Sequence, residues 1–206
     1  MKMTRSAIQS FPGVSPPGAR DRILDAADEA LGAVGFKHMR IEDLSRVAGI
    51  AKGTVYLSFP SKSEIALACI DRMAGRVLER MQTIAAGNGP VEARLRKALV
   101  ERVLLRLDYA RTHPASVDEI LAAIRPQLLA RREEHFVAEA RVLAPLLPGP
   151  AAIETARAMI VATNALLPYS LSVREMGRRA EIARKADRVA QLVVHGALVH
   201  PRRRSA

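Results

Sequence analysis

Arg40-Ile41-Glu42-Asp43-Leu44-Ser45-Arg46-Val47-Ala48-Gly49-Ile50-Ala51-Lys52-Gly53-Thr54-Val55-Tyr56-Leu57-Ser58-Phe59 is the stretch whose reading decides the fold. Ile41, Leu44 and Ala48 recur at i, i+3 and i+7, the apolar stripe of a short helix. Glu42 and Asp43 lie in its first turn, where carboxylates suit the positive end of the helix dipole. Gly49 ends it, as expected where the backbone needs positive φ. Ile50 points back under the turn, and Val55 and Phe59 (i, i+4) give a second helix its buried side. The other side carries Lys52, Gly53, Thr54, Tyr56 and Ser58, a small, polar and acid-free face. Two short helices joined by such a turn present the second to the major groove of duplex DNA. Small side chains let that helix approach base edges, and the Lys ammonium and the Thr and Tyr hydroxyls can bond phosphate oxygens. A plain helical hairpin in an all-α core would share the turn glycine, but would not need the basic, acid-free second helix.

The flanks extend the pattern. Ile23, Leu24, Ala27, Leu31 and Val34 mark an amphipathic helix upstream, ended by Gly35. Downstream, Pro60-Ser61-Lys62-Ser63-Glu64 contains an S-x-x-E capping box, which predicts a third, long helix starting at Ser61. Its amide donors and Lys62 make a natural phosphate site.

Residues 20 to about 70 resemble the DNA-binding domain of the TetR/AcrR family of transcriptional regulators. The matching residues are Ile23-Leu24-Asp25-Ala26-Ala27, Gly35-Phe36, Asp43-Leu44, Ala48-Gly49-Ile50, Gly53-Thr54-Val55-Tyr56 and Phe59-Pro60-Ser61-Lys62-Ser63-Glu64. The resemblance implies that Lys52, Gly53, Thr54, Tyr56 and Lys62 contact DNA, and Arg40, Leu57 and Ser58 complete the candidate set. Two positions depart from the family, which often has Ser or Thr where this chain has Arg40 and Ala51. Arg40 can replace a phosphate contact, whereas Ala51 cannot cap the recognition helix.

Composition sets the bounds. The chain has 206 residues, 49% of them hydrophobic, with 3% aromatics and no Trp. That is enough for an aliphatic core, and the many Ala, Arg, Glu and Leu residues favour helices. Lys and Arg number 32 against 21 Asp and Glu, a net charge of +11 that draws polyanions to the surface. Part of the excess sits near the ends, in Lys2, Arg5, Arg20 and Arg202-Arg203-Arg204. The single cysteine, Cys69, excludes an internal disulfide and reads as a small buried thiol. No secretory signal or membrane span is legible, so a cytoplasmic protein without membrane partners is expected. His113, His135, His195 and His200 lack metal-ligand spacing and read as surface or loop-packing residues. No nucleophile–base pair or phosphate-cradling loop appears, so neither enzymatic activity, nor a cofactor, nor a metal is expected.

Beyond the head, a helix from Ser61 to roughly Ala86 would connect to the body. A second spans Val91 to about Thr112, and Ser116-Val-Asp-Glu119 opens a short helix bent or ended by Pro126, followed by one over about Gln127 to Leu143. Ala151–Leu167 is apolar on most sides, and 180–199 carries Ile182, Ala186, Val189, Val193 and Ala197 in one stripe. The pair suits a four-helix interface with a second copy, over about 151–199; the alternative is packing within one monomer, and the resemblance favours the dimer. Polar groups at apolar positions, Arg102, Arg106, Thr163 and Asn164, are candidates for a ligand pocket. Equally, the arginines could pair with carboxylates such as Asp108 or Glu139.

The expectation is therefore an all-α protein: a flexible arm over 1–18, a three-helix helix-turn-helix DNA-binding domain over 19–66, a helical effector-binding and dimerisation domain over 67–200 and a basic tail over 201–206. The expected function is that of a ligand-responsive transcriptional regulator, a repressor binding a palindromic double-stranded operator as a homodimer and released by a small-molecule effector. The rival is a nonspecific, architectural DNA binder without effector control.

Overall fold

The computed structural model describes residues 18–113, 116–168 and 178–199. Most of the expected arm, the basic tail and His200 lie outside the described residues. Among the described residues every regular element is helical: α1 (Ala19–Ala33), α2 (Gly35–His38), α3 (Ile41–Ala48), α4 (Lys52–Ser58), α5 (Lys62–Ala86), α6 (Val91–Thr112), α7 (Ser116–Leu143), α8 (Ala152–Ala162) and α9 (Arg179–Val199). None of them is long and apolar enough to cross a membrane.

The head forms as its apolar spacing dictates. Ile23, Leu24, Ala27 and Leu31 of α1 are buried, as are Ile41, Leu44 and Ala48 of α3 and Val55 and Phe59 around α4. Val34 departs from the expected stripe: it follows the last turn of α1 and stands exposed. Gly49 adopts φ 63° and closes α3, with the Ile50 amide donating to the Ser45 carbonyl at 2.9 Å. The Ser61 hydroxyl caps α5 by accepting from the Glu64 amide at 3.2 Å. The reciprocal half of the capping box is replaced, because the Glu64 carboxylate accepts from Arg131 at 3.0 Å instead. Ile120 and Ile124 of α7 join the head's hydrophobic cluster, so its core is closed from below by the body.

In the body, α6 packs between α5 and α9. The two helices that the sequence suggested around Pro126 are present as the two arms of α7, which meet at a non-helical kink at Ile124 (φ −131°, ψ 17°). Proline removes a helical donor and crowds the preceding turn, which places the distortion just upstream. The apolar helix expected over 151–167 is also shorter, with α8 ending at Ala162 and a 3₁₀ turn covering Asn164–Leu166. The Thr163 hydroxyl donates to the Ile160 carbonyl at 3.0 Å, and Leu167 is extended ahead of Pro168. In α9 the core-facing stripe is Ile182, Ala186, Ala190 and Val194. Val189, Val193 and Ala197, assigned to that stripe from sequence, sit one position round the helix and are half-buried.

Candidate nucleic-acid interface and effector cavity

Helix α4 turns one side inward and leaves the other open. Val55 is fully buried, while Tyr56 is 47% and Leu57 59% exposed. Lys52 and Gly53 are exposed, and Thr54 and Ser58 half-buried. A Cβ added at Gly53 would meet nothing within 4 Å, so the fold itself does not require glycine there. Neither Arg40 before α3 nor Ala51 before α4 supplies a side-chain cap. Arg20 lies 4.3 Å over the Phe59 ring and donates to the Ser58 carbonyl at 3.4 Å, tying α1 to the end of α4.

Two of the candidate cations already have partners. Lys52 forms an ion pair with Glu42 across the turn, and both groups are exposed. A hydrogen bond from Lys52 holds the Glu42 carboxyl below the usual carboxylate range, and the same bond raises the Lys52 ammonium. The acid-free face of α4 thus acquires an acid from α3, a tertiary neighbour that helix-by-helix reading overlooks. Lys62 donates to the Phe36 and Lys37 carbonyls at 2.9 and 3.2 Å, with its ammonium 4.7 Å from the Phe36 ring centroid. It ties the start of α5 to the end of α2.

Beneath the head, α5, α6 and α7 line a partly open cavity of about 170 Å³. Ile70, Met73, Ile120, Leu128 and Phe136 supply apolar wall, Tyr109 and His113 the side towards α1, and Arg106, Arg125 and Arg132 the charge. The four pocket candidates do converge, though mainly on one another. Arg102 donates to Glu139 at 2.6 Å, to the Thr163 hydroxyl at 2.9 Å and to the Asn164 side-chain carbonyl at 2.9 Å. Arg106 grips the other Glu139 oxygen and also donates to the Arg102 carbonyl at 3.2 Å. Of the four, only Arg106 lines the cavity. Burial alone would raise the Glu139 carboxyl, but the Arg106 and Arg102 guanidiniums outweigh it and hold it below its ordinary value. Asp108, the other carboxylate suggested by sequence, takes Arg179 at 2.8 Å.

Tyr109, His113 and His135 were not expected here. The Tyr109 and His113 rings stack with centroids 4.1 Å apart, and His113 is buried. His135 lies 3.3 Å from Asp71. A stripe at i, i+3, i+4 through Arg106, Tyr109 and Ala110 was the available signal. Cys69 is buried as expected; burial, with Asp28 adding to it, pushes its thiol up to about 12.

A second surface lies on the outer sides of α8 and α9. Val161 and Leu192 are each 59% exposed. Ala158, Ala162, Val193, Gly196 and Ala197 form a shallow groove beside them.

Residues 23–69 match the family model described as "Bacterial regulatory proteins, tetR family". A curated relative, the fatty acid metabolism regulator protein of Bacillus subtilis (strain 168), is 33% identical over 61 residues, which is 30% of this chain and 31% of that protein's length. A solved transcriptional regulator from Cytophaga hutchinsonii superposes with a TM-score of 0.66 at 17% identity, covering 86% of this chain and 97% of that one. The regulator FadR of Bacillus subtilis, solved with stearoyl-CoA, superposes with a TM-score of 0.58 at 19% identity, covering 85% and 98%. At those identities the solved structures establish likeness of fold, while the matched helices of the head carry the family. Residues 23–69 thus carry the helix-turn-helix head of the tetR regulators, on a chain whose whole fold is that of the solved transcriptional regulators.

Proposed function

We propose that this regulator is a ligand-responsive repressor that binds a palindromic operator as a homodimer and leaves it when a small-molecule effector enters the body. The observation that carries the DNA-binding part is the outward face of α4, where Gly53, Tyr56 and Leu57 are open while Val55 anchors the helix from behind. On this reading Gly53 lets the backbone approach base edges, and Thr54, Tyr56 and Ser58 supply hydroxyls, with Leu57 packing on the groove wall. Lys52, Lys62 and Arg40 meet phosphates. Residues 19–66 act as the head and 67–200 as the body. Two heads held by the α8–α9 groove would enter major grooves about one helical turn apart.

The cavity and the relatives together support one effector class. An apolar wall with arginines among its lining residues suits an apolar chain bearing an anionic group. The Bacillus relative is named for fatty acid metabolism and the FadR structure holds stearoyl-CoA, which favours an acyl thioester. Occupancy of a promoter suffices for repression, and an effector lowers it only by binding the DNA-incompetent state better.

Selection of bound genomic fragments gives the operator, and Tyr56→Ala tests the reading. The variant should lose operator binding while sedimenting as the same dimer. Dissociation of the dimer would make Tyr56 a packing residue, and equal affinity of the unaltered protein for operator and random DNA would favour the architectural alternative.

A further inference from the structure

The wall that separates the effector cavity from the head belongs to both. Ile120 lines the cavity and is also a member of the head's hydrophobic cluster, and Leu128 lines the cavity and packs against that cluster. The polar link is more specific. Tyr109 lines the cavity with its ring and donates its hydroxyl to Asp28 of α1 at 2.8 Å. His113, stacked on Tyr109, places Nε2 3.2 Å from the Asp28 carbonyl. Arg72 of α5 donates to the other Asp28 carboxylate oxygen at 2.6 Å. The helices also approach closely beside this clamp, since a Cβ on Gly32 of α1 would lie 3.0 Å from the Thr112 carbonyl. Helix α1 in turn packs directly on α3 and α4.

The volume makes that arrangement consequential. About 150 Å³ suffices for a benzene-sized guest, so the 170 Å³ cavity takes a compact apolar body. A long chain projects through the open side of the cavity or displaces wall, and part of the wall is the Tyr109–His113 stack. We infer that Asp28 is where cavity occupancy reaches the DNA-binding helices: Tyr109 and His113 hold α1 in the operator-competent position, and a ligand that displaces their stack breaks that hold as it seats. The effector arm of this inference rests on the acyl reading above; the clamp itself does not.

Tyr109→Phe keeps the ring in the cavity wall and removes only the hydroxyl. The first measurement needs no effector: affinity for the full palindrome relative to a half-site that engages one head. Loosening α1 at this contact lets the two heads sample more spacings, so the full-to-half ratio should fall at least about fivefold, the lower end of ordinary coupling factors. Arg80→Gln, which breaks an exposed pair with Glu101 between α5 and α6, should leave the ratio unchanged. The second measurement adds hexanoyl-CoA or stearoyl-CoA. Stearoyl-CoA should weaken operator binding by the unaltered protein, hexanoyl-CoA should not, and Tyr109→Phe should bind stearoyl-CoA while losing most of its effect on DNA. If neither thioester binds, the acyl reading fails and the first ratio still decides the clamp. An unchanged ratio, or equal losses at full and half sites, overturns the clamp. Hexanoyl-CoA releasing the operator as well as stearoyl-CoA overturns the size argument. Should Tyr109→Phe fail to fold, Asp28→Ala, which removes the acceptor of the Tyr109 hydroxyl, makes the same comparisons.

Discussion

Arg102 of α6 and Glu139 of α7 face each other with Nε and Oε2 2.6 Å apart, both buried, and Arg106 closes on the same carboxylate from one turn along α6. Two guanidiniums thus share one acid at the centre of the body. Thr163 and Asn164 take further Arg102 donors, which is how the desolvation of such a group is offset.

Removing Glu139 should therefore be costly. Glu139→Ala leaves two buried cations without their counter-ion, and a loss of about 3–5 kcal/mol in urea unfolding is expected. The pH dependence has a definite sign. The folded carboxyl titrates below its ordinary 4.5, so its contribution is complete above that value and is lost as pH falls through the lower folded value. Glu139→Gln should flatten the acid limb of the stability profile below pH 4.5. An unaltered limb would show that the pair is not felt in the folding equilibrium.

Glu42 pairs with Lys52, a candidate phosphate contact. Glu42→Gln removes both the pair and a negative charge near the groove-facing helix, so affinity for operator and for random DNA should rise together. The gain should shrink as salt is raised. A gain confined to one sequence would instead assign Glu42 a role in base discrimination.

Lys62 has three donors, of which two are directed at the Phe36 and Lys37 carbonyls. If the remaining one meets a phosphate, Lys62→Ala should reduce the salt slope of binding by about one unit across all sequences. The same substitution should lower head stability by loosening α2 from α5. Lowered stability with an intact slope would leave Lys62 a purely structural tie.

The α8–α9 face should be the seam between subunits. Leu192→Glu or Val161→Glu places a charge on the exposed apolar surface, and sedimentation should then report a monomer. Folding of the monomer should persist, since Ala190 and Val194 of α9 still pack inward. Operator binding should fall towards single-head affinity, whereas a dimer that survives both changes would move the seam elsewhere.

Much of the head was legible because its signals are local. Gly49 at positive φ, the Ser61 cap and the stripe Ile41, Leu44, Ala48 each depend on residues a few positions apart. The candidate face on α4 was legible for the same reason. Lys52 was only half read, because its partner Glu42 sits on the other side of a turn. In the body, the stripe on α9 was right at Ile182 and Ala186 and one position off from Val189 onward, because Ala and Val stand at neighbouring positions there and give little contrast between faces.

Periodicity, glycine position and cap chemistry in the sequence alone determined the all-helical character, the helix-turn-helix and the segment from Lys52 to Ser58 as the candidate surface for DNA, since those depend on backbone geometry over one or two turns. The tertiary structure decided which acid answers Arg102, that α8 stops at Ala162, and that Tyr109 and Asp28 join cavity to head. Those pairings span 37 to 81 positions of chain, and several equally plausible partners compete over such distances until packing selects one.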